Sequence, residues 1–245
     1  MSNEFEPTGF SFRKDTGGKT EVEIISEKKI NGGNFGNIFD AVVEIGGHKK
    51  RFIIKKYLAN EWRSATQRAS FAFENYSRAK KAGLRVFLTF RIGEDNESIL
   101  MTTGFKDNQI CIGSKNHRRV TVESFGRPKI KEFSNLDRFL EEFFTEGLKA
   151  AHEGIEIYKD DVPFFILTKD EPTEIDFVFG DMDNLIKAVP IEHVEIRNLE
   201  RLNNTLYEFG YENVDPNSLS HFLDRVKYYY NQAVRSVNND TALAY

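Results

Sequence analysis

The chain has 245 residues, with 34 Lys and Arg against 38 Asp and Glu and a formal net charge of −4, which argues against a general nucleic-acid binder. Hydrophobic residues make up 40% and charged residues 29%, an ordinary globular balance with room for one large domain or two lobes. No apolar run approaches the roughly 18 residues of a membrane helix, so no transmembrane segment is expected.

In chain order, Met1 to Thr20 is polar and reads as a loose lead-in without a secretory signal. Glu21 to Ile25 alternates Val22 and Ile24 with glutamates, the pattern of a half-buried strand. The stretch Asn31-Gly32-Gly33-Asn34-Phe35-Gly36 then separates two β-prone segments, with Phe35 at the tip. Glycine admits close approach of a polyphosphate, because no Cβ stands in the way. Successive N–H groups in such a turn form an anion-binding concavity. Two tight hairpin turns in an ordinary antiparallel sheet would produce the same pattern. Past Ile38 and a Gly46-Gly47 turn, Phe52-Ile53-Ile54 leads to Lys55 on a strand.

Asn60 to Ala82 reads as a helix, since Trp62, Ala65, Ala69, Phe73, Tyr76 and Ala79 recur at spacings of three and four. Glu74 lies on or beside that apolar face, and Gly83 is placed to end the helix. Leu84–Phe90 and Ser98–Thr102 read as strands around an acidic turn. Cys111-Ile112 and Arg119–Val122 are weaker strand candidates beside a basic cluster at His117-Arg118-Arg119. Cys111 is the one cysteine, which excludes an intrachain disulfide and fits a reducing, cytoplasmic compartment.

Ser134 carries an N-cap signal for a long helix with Leu136, Phe139, Leu140, Phe143, Phe144 and Leu148 on its buried face, ending at Gly154. With 22 Phe against one Trp, cores built on phenyl rings are expected. Ile175–Phe179 alternates like a strand and breaks into the polar turn Gly180-Asp181-Met182-Asp183-Asn184. Two helices follow, Val194 to Gly210 and one capped by Asp215-Pro216-Asn217-Ser218, with Asn238 to Tyr245 expected to fray.

The order of these features resembles the protein-kinase-like fold, in particular its smaller bacterial and RIO-type members. The family pattern is G-x-G-x-x-G-x-V followed by a V-A-I-K strand. Asn31, Gly33 and Gly36 fall on the three glycine positions, Ile38 on the valine and Lys55 on the lysine. Glu74 takes the place of the helix glutamate that holds the strand lysine against the α- and β-phosphates. Met101 to Gly104 matches the hinge, so Met101 and Thr102 would border the adenine.

The run Ala150 to Leu167 resembles the catalytic segment A-H-x-x-G-I-x-H-R-D-L-K-P-E-N-I-L. Tyr158 and Lys159 take the positions before the catalytic aspartate, which is Asp160, or Asp161 after a shift of one residue. Phe165 stands at the metal-binding asparagine and departs from the pattern, because a phenyl ring offers a cation no oxygen. Asp181 matches the Mg²⁺-binding aspartate of D-F-G, with Asp176 as the competing register.

The resemblance implies an α+β, two-lobed fold. Residues 1–104 would form an antiparallel-sheet N-lobe of five strands and one helix, and 105–245 a reduced, mainly helical C-lobe. It implies ATP and Mg²⁺ as cofactors and phosphoryl transfer to a hydroxyl of a protein or small-molecule acceptor. No A-P-E motif is visible, so a peptide-docking platform is expected to be cut down or missing. The alternatives are a catalytically impaired pseudokinase that binds nucleotide or partners, and an interaction protein that uses the fold only as a surface.

Overall fold

A computed structural model describes residues 9–13, 19–33, 36–45, 47–92, 98–102, 108–114, 128–159, 162–190 and 192–242. The chain is α+β and divides into two compact units, with the boundary falling inside one helix between Glu74 and Asn75. The first unit holds Met1–Glu74, Phe87–Gly104 and Val120–Val122, and the second holds Asn75–Val86, Phe105–Arg119 and Glu123–Tyr245.

The first unit is an antiparallel sheet built from β1 (Gly9–Arg13), β2 (Lys19–Gly33), β3 (Gly36–Ile45), β4 (His48–Tyr57), β5 (Thr89–Ile92) and β6 (Ser98–Thr102), in the order β1-β2-β3-β4-β6-β5. Six strands stand where five are expected, because Gly9–Arg13, read as part of a loose lead-in, pairs with Lys19–Glu23 as an edge strand. One face is apolar: Ile24, Ala41, Val43, Phe52, Ile54 and Ile92 pack together, with Phe39 and Phe90 against them. Their alternation along each strand is the pleat's period of two.

Helix α1 runs from Ala65 to Lys81, later than the apolar spacing predicts. Asn60 is the reason. Its Oδ1 accepts the N–H groups of Trp62 at 3.1 Å and Arg63 at 2.8 Å, which holds the chain in a turn. Ser64 then caps the helix. Its Oγ accepts from Gln67 N at 3.1 Å, and Gln67 Oε1 accepts from Ser64 N at 2.9 Å, a reciprocal capping box. Trp62, which the periodicity puts on the buried face, is therefore left in the turn and is 84% exposed. At the far end Gly83 N donates to Lys80 O and Leu84 N to Ala79 O, both at 3.0 Å, with Gly83 at φ 71°, a Schellman cap.

The second unit combines helices with short sheets. Strands β7 (Gln109–Ile112), β9 (Pro163–Thr168) and β10 (Ile175–Phe179) form a sheet in the order β10-β9-β7. Strands β8 (Ile155–Ile157) and β11 (Leu185–Lys187) form a second, antiparallel pair. Helices α2 (Leu136–His152), α3 (Val194–Asn213) and α4 (Pro216–Ala242) complete it. Helix α4 continues to Ala242, through residues expected to fray. The helix α2 cap is Asn135, not Ser134, and its side chain bonds the backbone of Ile175 on β10.

The phenyl core expected from composition lies here. Phe143 meets Phe177 edge-on at 4.9 Å between centroids, and Phe165 meets Phe209 at 4.4 Å. Phe139 and Phe179 extend the cluster across α2 and β10. Gly147 allows α2 and α3 to close, since a Cβ there would stand 2.5 Å from Leu202 Cδ1. No helix among the described residues is long and apolar enough to cross a membrane.

Candidate functional site

In the first unit the glycine-rich segment joins β2 to β3. Asn31 pairs with Ile38, Gly32 with Asn37 and Gly33 with Gly36. Asn34 and Phe35 lie outside the described residues. Gly36 is buried, and a Cβ there would stand 2.6 Å from the Lys56 carbonyl oxygen. Its lack of a side chain therefore has a packing reason as well as any role toward a ligand.

Strand register gathers several of the predicted residues on one face. Ile38 opposes Lys55 across β3 and β4, and Ile53 opposes Met101 across β4 and β6. Opposed residues share a face and alternate residues return to it, so Ile38, Ile53, Lys55 and Met101 lie together. Ile53 and Met101 are buried. Lys55 is half-buried, with its Nζ 5.1 Å from the centre of the Tyr57 ring. Thr102 pairs with Phe52.

The neighbouring Lys56 turns to the opposite face. There its Nζ meets Glu27 Oε1 at 2.7 Å and lies 4.7 Å from the Phe39 ring centre. Glu74 is exposed on α1 and forms no ion pair among the described residues.

In the second unit, Tyr158 and Val162, on the chain between β8 and β9, lie against the turn from β10 to β11 at 180–184. The Val162 carbonyl accepts Gly180 N at 3.0 Å and Asp181 N at 3.5 Å, and Tyr158 N donates to Asn184 O at 2.9 Å. The β8–β11 pairing favours this contact, because it sets Ile157 at the end of β8 opposite Leu185 at the start of β11. Asp181 heads a short 3₁₀ turn, Met182–Asn184, and its Oδ2 accepts from Asn184 Nδ2 at 3.1 Å. Met182 is buried, while Asp181, Asp183 and Asn184 are half-buried. Asp160 and Asp161 lie outside the described residues.

Asp176, the competing register, is exposed on β10 and bonds Arg85 at 3.0 Å. Arg85 also pairs with Glu142 at 2.6 Å and lies over the Phe177 ring. Desolvation opposes its charge, but these carboxylates hold the guanidinium pKa above its ordinary value. Phe165 is fully buried on β9 opposite Ile112 and Phe177, so this position faces the core and not the turn.

Two asparagines that carry no family motif support the turns. Asn75, buried on α1, donates from Nδ2 to the Met182 carbonyl at 2.8 Å. Asn198, buried on α3, accepts Ile157 N at 2.8 Å and donates to Ile155 O at 2.9 Å and Gly147 O at 3.1 Å. The signal in the sequence is an amide among apolar positions of an amphipathic helix, where only a satisfied polar group survives burial.

Among the described residues no group of three or more His, Cys, Asp or Glu could hold a metal. Mg²⁺ does not need one. It is commonly bound through one or two carboxylates together with substrate phosphates and water, and Asp181 beside Asp183 and Asn184 offers oxygen donors of that kind.

No family model matches the chain, and neither does any curated protein. Among solved structures the chain is similar to the ROP18 kinase domain. That structure is a complex with AMP-PNP and sucrose. The likeness covers 97% of this chain and 87% of that one, at 12% sequence identity and a TM-score of 0.47.

Proposed function

We propose that this chain is a kinase-like phosphotransferase that binds Mg²⁺-ATP and passes the γ-phosphoryl group to a hydroxyl of a protein or small-molecule acceptor. The observation that carries the reading is the contact of Tyr158 and the Val162 carbonyl with the 180–184 turn. It brings the chain on either side of Asp160 and Asp161 to the turn that holds Asp181.

Phosphoryl transfer asks a protein mainly to position reactants and neutralise charge. In this reading Asp181 holds the Mg²⁺, which supplies charge neutralisation at the phosphates. Asp160, or Asp161 one residue on, orients the acceptor hydroxyl. Lys55 contacts the α- and β-phosphates, and Glu74 swings to hold it. The backbone from Asn31 to Gly36 receives the phosphates, with Ile38, Met101 and Thr102 at the base. The residue ranges 1–104 and 105–245 serve as the two lobes. Engagement of Asp176 by Arg85 supports Asp181 as the metal residue. A chain whose one cysteine is buried suits the cytoplasm.

A second reading, nucleotide binding without transfer, is favoured by Phe165. Its burial removes the second metal-binding position of the family pattern.

Calorimetric titration with ATP, with and without Mg²⁺, tests binding. Release or transfer of γ-phosphate by wild type, Asp160→Ala and Asp161→Ala tests chemistry. Mg²⁺-dependent binding with transfer lost in one aspartate variant supports the first reading. Binding without transfer in wild type supports the second. No binding under either condition leaves neither reading.

A further inference from the structure

We infer that Asn75 on helix α1 positions the Asp181 turn for holding a metal, through the carbonyl of the residue that follows Asp181. The inference rests on the proposed role of Asp181. Asn75 is 3% exposed, and its amide is held from both sides. Arg78 NH1 donates to its Oδ1 at 3.0 Å, and its Nδ2 donates to the Met182 carbonyl at 2.8 Å.

This orientation has no alternative. A guanidinium only donates and a carbonyl only accepts, so reversing the amide would set donor against donor and acceptor against acceptor. Met182 immediately follows Asp181, and its side chain is buried. Val162 O and the Asn184 contacts also hold the turn, from the adjacent chain and from the turn itself. Asn75 adds a side chain carried by a 17-residue helix. Loss of the Asn75 donor would loosen the Met182 carbonyl and with it the aim of the neighbouring Asp181 carboxylate. Groups that orient a metal-binding carboxylate in this way typically change metal affinity 10- to 100-fold when lost.

Asn75→Asp tests this, because it keeps the shape and removes the donor; Asn75→Gln keeps the donor on a longer arm. Titrations of ATP with Mg²⁺ and with EDTA are run on full-length wild type and both variants, together with hydrogen exchange at the amides of Asp181 and Asn184. The expected result for Asn75→Asp is a loss of about 10- to 100-fold in Mg²⁺-ATP affinity, with metal-free affinity unchanged, and partial recovery in Asn75→Gln. Faster exchange at the two amides should accompany it.

Equal loss with and without Mg²⁺, or no loss, overturns the inference. If wild type shows no Mg²⁺-dependent binding, the proposed function fails by itself. Exchange then decides the positioning role: unchanged protection at Asp181 and Asn184 in Asn75→Asp overturns it, and faster exchange supports it.

Discussion

Replacing Phe165 by Asn restores, on paper, the residue that the kinase pattern asks for. The structure predicts that it will instead damage the second unit. The ring is fully buried on β9, 4.4 Å from Phe209, 5.8 Å from Phe143 and 6.1 Å from Phe139 between centroids. Truncating a core phenylalanine costs about 3–5 kcal/mol through lost burial and the cavity left behind. The smaller amide refills part of that space, but it enters without a partner at a further cost of about 1–3 kcal/mol. A total of about 4–8 kcal/mol is a large share of the roughly 5–15 kcal/mol that holds a domain folded. In a unit of this size even ~4 kcal/mol lowers the melting temperature by roughly 8–16 °C. Thermal and urea unfolding of wild type, Phe165→Asn and the apolar control Phe165→Leu measure it, with the control expected to lose only about 1–2 kcal/mol. Mg²⁺-ATP affinity is expected not to rise in Phe165→Asn. A variant as stable as wild type would show that the place of position 165 in the core is wrong, and a gain in Mg²⁺-dependent affinity would show that it reaches a metal.

Three further outcomes follow from packing and polar contacts. Gly147→Ala should destabilise the second unit by about 1–3 kcal/mol, since its Cβ would stand 2.5 Å from buried Leu202, and in urea unfolding the double variant with Leu202→Ala should lose less than the two single losses combined. Asn198→Ala should cost about 1–3 kcal/mol and speed amide exchange at Ile157, whose N–H it leaves without the 2.8 Å acceptor. Ser64→Ala should cost about 1 kcal/mol through loss of the α1 cap, and Ser64→Asp should retain most of it; thermal melts of the three proteins check this.

Strand and helix spacing made much of the fold legible. Ser98–Thr102 forms a strand over the range read from the sequence, and the glycine caps at Gly83 and Gly154 fall at positive φ, where a Cβ is disfavoured. The misses have local causes. Trp62 fits an apolar helix stripe by spacing, but spacing cannot see the Asn60 side chain taking the N–H groups that would have continued the helix. Gly9–Arg13 becomes a strand by pairing with Lys19–Glu23, and such pairing leaves little trace in a polar, glycine-containing stretch. For the candidate site, the order Lys55, Glu74, Asp160, Asp181 was readable as a family pattern. The Val162 carbonyl and the Asn75 amide were not, because a backbone oxygen has no sequence signature and a buried asparagine gains meaning only once its partner is known.

Cys111 gives the molecule an internal clock. It is fully buried on β7 opposite Ile166, and burial pushes its thiol pKa well above the ordinary range. Only the thiolate reacts with alkylating agents, so modification must wait until β7 leaves β9 and the sulfur meets water. Because the chain has one cysteine, each labelling event reports the same location. The labelling rate at rising urea therefore measures how often the β7–β9 sheet opens. A single mass measurement would then tell whether that sheet breathes alone or opens only when the whole second unit unfolds.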